Sequence, residues 1–237
     1  METVQKKNEV DTRLFGWRRT GLLITLLLVS IFSQIDRVLP FILAESIKID
    51  LNLSDTQLGL LTGLAFSICY SLASLPLARI ADKGRAKEVL VVCLVLWSAM
   101  TTLGGFAYGF ALLSISRFGV ALGEAGGTPA SHTLIVNSIP KKLQGRAIGL
   151  YTMGLPLGTM IGFALGGWIG EQFGWRYAFI GAGTFGAFLV IMIMVFVMKN
   201  SVVKHHPFHE DNFMTSVIKL FSKPAFVRLF IVSNLFG

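Results

Sequence analysis

The chain has 237 residues, of which 53% are hydrophobic and 14% charged, with a mean hydropathy of +0.67 and a formal net charge of +8. A soluble domain carries roughly 25% charged residues, so this composition excludes an ordinary soluble globular protein and reads as a multi-pass membrane protein. The two cysteines, Cys69 and Cys93, lie inside apolar runs, where a thiol behaves as a small hydrophobe, and they indicate no disulfide framework.

Apolar segments of about 20 residues are long enough to cross a bilayer. They occur at 20–44, 57–79, 88–109, 111–138, 146–170 and 177–198, and a further apolar stretch has barely begun at the C-terminus. Arg18 and Arg19 ahead of the first run imitate a secretory signal, but no small-residue cleavage site follows, so the first helix is expected to be retained. The reading is therefore an all-α membrane protein. Residues 1–20 form a cytoplasmic N-terminal segment and 21–198 a bundle of six transmembrane helices. A cytoplasmic linker with a short amphipathic surface helix follows at 199–227, and 228–237 begins a seventh helix, so the sequence is expected to be part of a longer protein.

The basic excess invites a nucleic-acid reading, which its distribution opposes. Of 21 Lys and Arg, seventeen fall on one side of this topology: before helix 1, around the 2/3 loop, in the 4/5 loop and after helix 6. The opposite loops hold only Lys48 and Arg176, and Arg37 and Arg117 lie within spans. The positive-inside rule places the N-terminus and the segment after helix 6 in the cytoplasm.

Compared with itself at a shift of about 88–89 residues, the chain pairs Asp36 with Glu124, Pro40 with Pro129, Asp82 with Glu171 and Lys87 with Arg176. A repeat of three helices follows, and since three is odd the second unit enters the membrane from the opposite side, as in many secondary transporters. Helix 5 carries Gly154, Gly158, Gly162, Gly166 and Gly170. Small residues at this spacing let helices approach closely. Four residues turn about 400°, so the stripe is expected to drift by roughly 160° in all and serve two neighbours in succession. Helix 2 has a weaker version in Gly59 and Gly63, and helix 4 in Gly119 and Gly123.

The stretch "SQIDRVLPF" at 33–41 puts Asp36 and Arg37 deep in helix 1, and Arg117 and Glu124 are equally deep in helix 4. A central charge costs roughly 2.5–3.5 kcal/mol on insertion scales, so these groups must face one another or water. Asp36 and Glu124 each sit about 20 Å from opposite entry surfaces, near the middle of a hydrocarbon core of about 30 Å. Arg117 and Glu124 are seven residues apart on one face, a long reach of roughly 10.5 Å, and Asp36 between them would let Arg117 bridge two carboxylates. Arg37 points about 100° away from Asp36 and is expected to pair locally and matter less. The set reads either as a buried network fixing helix register or as a water-filled cavity with a titratable carboxylate.

Other candidates are weaker. His132 near the end of helix 4 reads as a packed histidine, Ser131 beside it lacks a third orienting group, and His205, His206 and His209 are interrupted by Pro207 with no cysteine nearby. No nucleotide loop, zinc signature or nucleophile elbow occurs, so no enzyme, cofactor, metal site or catalytic residue is expected.

The motifs carry a resemblance. "LARIADKGRAK" (77–87) resembles the 2/3-loop signature of the major facilitator superfamily, with its glycine at Gly84, before Arg85 rather than after it. "SRFGVALGEAGG" is similar to its helix 4 signature and "FGWRYAFIGAG" to its helix 5/6 junction, so the resemblance covers the chain as an N-terminal six-helix half. "IDR" in helix 1 with "RFGVALGEA" in helix 4 resembles the Spinster-like branch, whose members carry lysolipids or sphingoid phosphates. The resemblance implies that Asp82, Lys83, Arg85 and Lys87 gate the cytoplasmic side and that Asp36, Arg117 and Glu124 line the cavity. The expected function is a proton-driven secondary transporter of a small amphiphilic or anionic organic substrate, with Glu124 and Asp36 as proton carriers and Arg117, Asp36 and Glu124 binding substrate. It is expected to be a monomer in the plasma or inner membrane, with the lipid bilayer but no nucleic acid as partner. A passive uniporter and a non-transporting receptor reusing the fold are the alternatives.

The charge split predicts that impermeant single-cysteine labelling in intact cells modifies position 48 or 171, and leaves positions 83, 142 and 206 untouched; the reverse pattern refutes the topology.

Overall fold

The computed structural model describes residues 2–197 and 222–224, with the side chains of 2–15 and of Leu64 left out. The chain divides into two compact units, 1–203 and 204–237. The expected linker, its histidines and the start of helix 7 lie outside the described residues, apart from the exposed Ser222–Pro224.

The first unit is helical throughout, broken only by short turns. The segments are α1 (Glu2–Ile42), α2 (Ala44–Leu51), α3 (Asp55–Thr62), α4 (Leu64–Ile80), α5 (Ala86–Gly105), α6 (Phe110–Glu124), α7 (Gly127–Ser138), α8 (Lys141–Thr152), α9 (Gly154–Ile161), α10 (Gly167–Phe173) and α11 (Trp175–Phe196). Four stretches are long and apolar enough to cross a bilayer by themselves: Gly16–Ile42, Asp55–Gly105, Lys141–Phe173 and Trp175–Phe196. The second holds 51 residues, about 76 Å of helix, and reverses at Gly84, whose φ of +91° is open to glycine without the strain a side chain would add. It therefore makes two spans. The shifted glycine of the 2/3 loop stands where the chain turns. α6 and α7 together form the remaining span, giving the six that the hydropathy predicts.

Local sequence sets the ends of these pieces. Ser54 and Gln57 close a reciprocal capping box on α3, with the Ser54 Oγ accepting from the Gln57 amide at 3.2 Å and the Gln57 Oε1 accepting from the Ser54 amide at 2.9 Å. α6 and α7 are separated at Ala125–Gly126, in a stretch with three glycines, and Pro129 has no N–H to return to the Ala125 carbonyl. Pro40 stands in the same relation to the Asp36 carbonyl within α1. Both intramembrane carboxylates thus sit where a proline loosens the helix they occupy.

The glycine stripe of the fifth span faces one neighbour, contrary to the two expected. A Cβ on Gly158 would stand 2.7 Å from the Gln34 Cβ and 3.2 Å from the Ile31 carbonyl carbon, one on Gly162 2.5 Å from Val38, and one on Gly166 2.7 Å from Leu39. Gly154 likewise meets Ser30, and Gly170 meets Leu43. The residues Gly162–Gly166 form a π-helical turn. Its i→i+5 pitch turns fewer degrees per residue, which offsets the drift and keeps the stripe on α1. Gly119 and Gly123 face Met100 and Trp97 of α5, whereas Gly59 meets no atom within 4 Å and Gly63 only its own helix, so the weak stripe of helix 2 is not a packing surface.

α5 and α11 lie antiparallel and close. A Cβ on Gly183 would stand 2.6 Å from the Ser98 carbonyl oxygen and 2.7 Å from the Thr102 amide. Each helix also fastens the end of the other. Lys87, in the first turn of α5, donates from Nζ to the Val197 carbonyl just past α11, and Arg176, in the first turn of α11, donates from Nη2 to the Ala107 carbonyl past α5 at 3.0 Å. A cation beside terminal carbonyls complements a helix dipole. Lys87 and Arg176 are the pair that the repeat aligns, so the same device is used once from each direction.

The buried hydrophobic side chains form two clusters. One includes Leu26, Phe32, Leu90, Trp97, Val120 and Leu189, and the other Leu39, Ile47, Trp175 and Phe179. Along α1, Asp36 falls between Phe32 of the first and Leu39 of the second. At the second cluster's end of the bundle, Asp50 accepts from Trp175 Nε1 at 3.2 Å and pairs with Arg176, and Lys48 pairs with Asp55 at 2.5 Å.

Overpacking a tight contact costs about 1–3 kcal/mol. Gly158→Val should therefore lower the melting temperature of the detergent-purified protein by roughly 3 °C or more. Gly149→Ala, with nothing within 4 Å of its added methyl, should leave it unchanged.

Candidate functional site

The layer between the two apolar clusters holds four charged side chains. Asp36 is fully buried, Glu124 is 2% exposed and Arg117 4%, while the Arg37 side chain keeps 35% of its surface open. Neighbouring residues of α1 pair crosswise with α6. Arg37 Nε donates to Glu124 Oε2 at 2.6 Å, and Arg117 Nη1 faces Asp36 Oδ1 at 3.9 Å, within ion-pair range but beyond a hydrogen bond. The other oxygen of Asp36 accepts from Thr101 Oγ1 of α5 at 2.5 Å.

This corrects the expected roles of the two arginines. Arg37 does not pair locally; it makes the shorter ion pair of the layer, to Glu124. The 100° between successive residues directs Asp36 and Arg37 to different sides of α1, but a guanidinium on a three-carbon stem spans the difference, so both reach α6 at different heights. Arg117 does not bridge two carboxylates, because Glu124 is taken by Arg37 and lies two turns away along α6.

Aromatic faces complete the surroundings. The guanidinium carbon of Arg37 stands 4.5 Å from the Tyr70 ring centroid and 5.7 Å from that of Phe66, and that of Arg117 stands 5.3 Å from Phe66. Phe66 and Tyr70 stack on each other at 6.3 Å. Two cations in a dry layer thus share aromatic partners on α4, an arrangement that stabilises a desolvated guanidinium while leaving its edge donors available. The hydrogen bonding is incomplete. Asp36 Oδ1, Glu124 Oε1, and Nε and Nη1 of Arg117 are buried without a hydrogen-bond partner among the described residues.

The other sequence candidates lie elsewhere. Asp82 accepts from Thr133 Oγ1 at 2.9 Å, Arg85 pairs with Glu88 at 2.5 Å on the surface, Lys83 is exposed, and Lys87 is engaged at the end of α11. His132 packs edge-on against Tyr151, ring centroids 5.3 Å apart, as a packed histidine does. Among the described residues no group of three or more His, Cys, Asp or Glu gathers as a metal site. The sequence reasoning missed Thr101, Phe66 and Tyr70. Nothing in a run of Thr, Phe and Tyr within apolar spans distinguishes these members from others.

An all-helical bundle of two inverted three-helix units, closed on a buried layer of charge, is the half-architecture of secondary transporters. The chain belongs to the Major Facilitator Superfamily, whose family model matches residues 22–237. It is 34% identical to an "MFS-type efflux pump" of Mycolicibacterium smegmatis over 90% of this chain and 49% of that protein, and 30% identical to a "Hexuronate transporter" of Bacillus subtilis over 70% of this chain and 39% of that one. Among solved structures, a bacterial homolog of the human lysosomal transporter Spinster, in its inward-facing and unoccupied conformation, matches with a TM-score of 0.74 at 28% identity, covering 87% of this chain and 50% of that one. The Spinster-like resemblance of the motifs is thereby supported by the fold. The chain spans about half the length of the relatives it matches.

Removing one partner of a buried ion pair costs about 3–5 kcal/mol, because the other charge is left uncompensated. Arg37→Met should therefore lower thermal stability more than the double variant Arg37→Met/Glu124→Gln, in which neither charge remains. A double variant less stable than Arg37→Met would refute the pairing.

Proposed function

We propose that this chain carries the proton- and substrate-handling half of a secondary active transporter that works by alternating access. The observation that carries the reading is the incomplete hydrogen bonding of the crosswise pairs. A network kept only for stability satisfies its polar atoms, whereas here one oxygen of each acid and two nitrogens of Arg117 make no hydrogen bond among the described residues, and the Arg117–Asp36 contact is an ion pair alone. Such groups are placed to exchange partners.

Glu124 and Asp36 are the proton carriers in this reading. While both are ionised they hold Arg37 and Arg117; a proton on either weakens its pair, and the guanidinium released takes an anionic group of the substrate, for which its planar fork suits carboxylate or phosphate. Arg37, half open beside Tyr70, is the first donor a substrate meets, and Arg117 with Asp36 and Glu124 forms the deeper part of the site. Carboxylate and substrate anion then compete for the same arginines and the proton decides between them, which is a physical route to coupling. The aromatic and apolar walls favour an amphiphilic anion. The Spinster-like resemblance suggests a lysolipid or sphingoid-like lipid, and the hexuronate relative is consistent with a carboxylate. The protein acts as a monomer in the plasma or inner membrane with its N-terminus in the cytoplasm, and Asp82, Lys83, Arg85 and Lys87 gate that side.

The test uses the full-length protein in liposomes enclosing a pH-sensitive dye, with a lysophospholipid and a hexuronate as probes. Wild type should acidify the interior as probe enters; Glu124→Gln keeps the shape without titration, and should exchange probe while losing net proton movement and accumulation against a gradient. Accumulation by the Gln variant with wild-type pH dependence would refute the assignment, and wild-type probe movement without protons would indicate a uniporter.

A further inference from the structure

A threonine hydroxyl buried in a helix ordinarily bonds back to the carbonyl four residues earlier. The chain does this repeatedly at buried and half-buried positions: Thr25 to Gly21 at 2.7 Å, Thr62 to Leu58 at 3.0 Å, Thr102 to Ser98 at 2.9 Å. Thr101, one residue from Thr102 and 1% exposed, does not. Its hydroxyl crosses from α5 to α1 and donates to Asp36 Oδ2 at 2.5 Å. It is the one hydrogen bond that Asp36 receives among the described residues, since Arg117 stands at 3.9 Å and the second oxygen is unbonded.

Both helices are held by other neighbours, α1 by the glycine stripe of the fifth span and α5 by α11. α5 is locked to α11 by the close approach at Gly183 and by the fastenings of Lys87 and Arg176 at its two ends. α1 is loosened just past Asp36 by Pro40. A β-branched side chain has restricted rotamer freedom in a helix, so the donor has few directions other than the one toward Asp36. A hydroxyl can donate only one proton. It supports the carboxylate form of Asp36, and the bond loses its charge assistance once Asp36 itself carries a proton.

We propose that Thr101 is a positioning residue for the coupling described above: by donating to Asp36 it favours the ionised carboxyl and ties α1 to the α5–α11 pair, so the arrival of a proton at Asp36 weakens that tie. This rests on the proposed transport reading and goes beyond it, because it names the element that senses the proton. The charged and titratable groups around Asp36 are Arg117 and Glu124 from α6, Arg37 from α1 and, against Arg37, Tyr70 from α4. The contribution of α5 is the Thr101 hydroxyl.

The test needs no substrate. Infrared difference spectra of the full-length protein are recorded as a function of pH, and the protonated-carboxyl band of Asp36 is identified by its absence in Asp36→Asn. Thr101→Val keeps the shape and removes the donor. The midpoint of that band should move up by about one pH unit or more, since hydrogen bonds to charged groups are worth at least this much, and the band should change frequency with the loss of its partner. Thr101→Ser should restore both, and Thr102→Val, whose hydroxyl serves its own helix, should leave both as in wild type. Melting curves for each variant verify the fold. An Asp36 midpoint unchanged in a folded Thr101→Val protein would overturn the role of Thr101 alone. A wild-type Asp36 band that does not titrate would overturn the role of Asp36 as proton carrier together with that of Thr101.

Discussion

Two acids and two bases at the depth of the membrane's apolar core, three of them buried, set the terms for the rest of this bundle. Each charge costs a few kcal/mol at that depth, and the expense is offset only if α1 and α6 stand close enough for Asp36 to face Arg117 and for Arg37 to reach Glu124. That demand fixes the distance and register of two helices that are otherwise interchangeable apolar rods. The glycine stripe then brings the fifth span onto α1 without side chains intervening, and the close contact of α5 with α11 presents Thr101 from behind. Apolar clusters on either side of the layer exclude water and so strengthen each interaction within it.

How much of this was legible in the sequence differed by kind of information. Six spans and the inverted repeat could be read, because bilayer thickness imposes a length and the repeat leaves matching charges and prolines. The four buried charges announced themselves, since a charge in an apolar run always needs explaining. Their pairing could not be read. A helical wheel gives directions without the reach of a side chain, and Arg37 was placed on the wrong side of the argument because its long stem was not counted. The π-turn at Gly162–Gly166 was hidden for a similar reason: helix arithmetic assumes a constant pitch, and the sequence "GFALG" resembles any small-residue helix. Thr101 was invisible because a threonine in an apolar span defaults to its own backbone, and only coordinates reveal one that does not.

The reciprocal fastenings of Lys87 and Arg176 make the inversion concrete. Two positions aligned by the repeat perform one task at opposite membrane surfaces, each at the start of one helix and against the end of the other. Asp36 and Glu124 are related in the same way, each about one turn ahead of a proline that leaves a carbonyl of its span without a returning N–H. The family relation gives the fold and the class of protein, but the particular polarity of this layer, with one arginine open and the other sealed, belongs to this chain's own side chains.

The separation of the charge pairs along the chain also bears on how the bundle is made. Asp36 and Arg37 leave the ribosome roughly eighty residues ahead of Arg117 and Glu124, and at about 5–20 residues per second that interval is on the order of 4–16 s. During it the first span holds an acid and a base without their final partners. Such a segment is a poor candidate for immediate release into lipid, and its lasting placement falls to the arrival of the fourth span. The same is true of Lys87, whose carbonyl at the end of α11 is synthesised over a hundred residues later. Assembly of this half therefore closes in two steps, the charge layer with the fourth span and the Lys87 fastening with the sixth, and a translation pause or truncation before the fourth span would hand the cell's membrane quality control a first helix whose charges have nowhere to go.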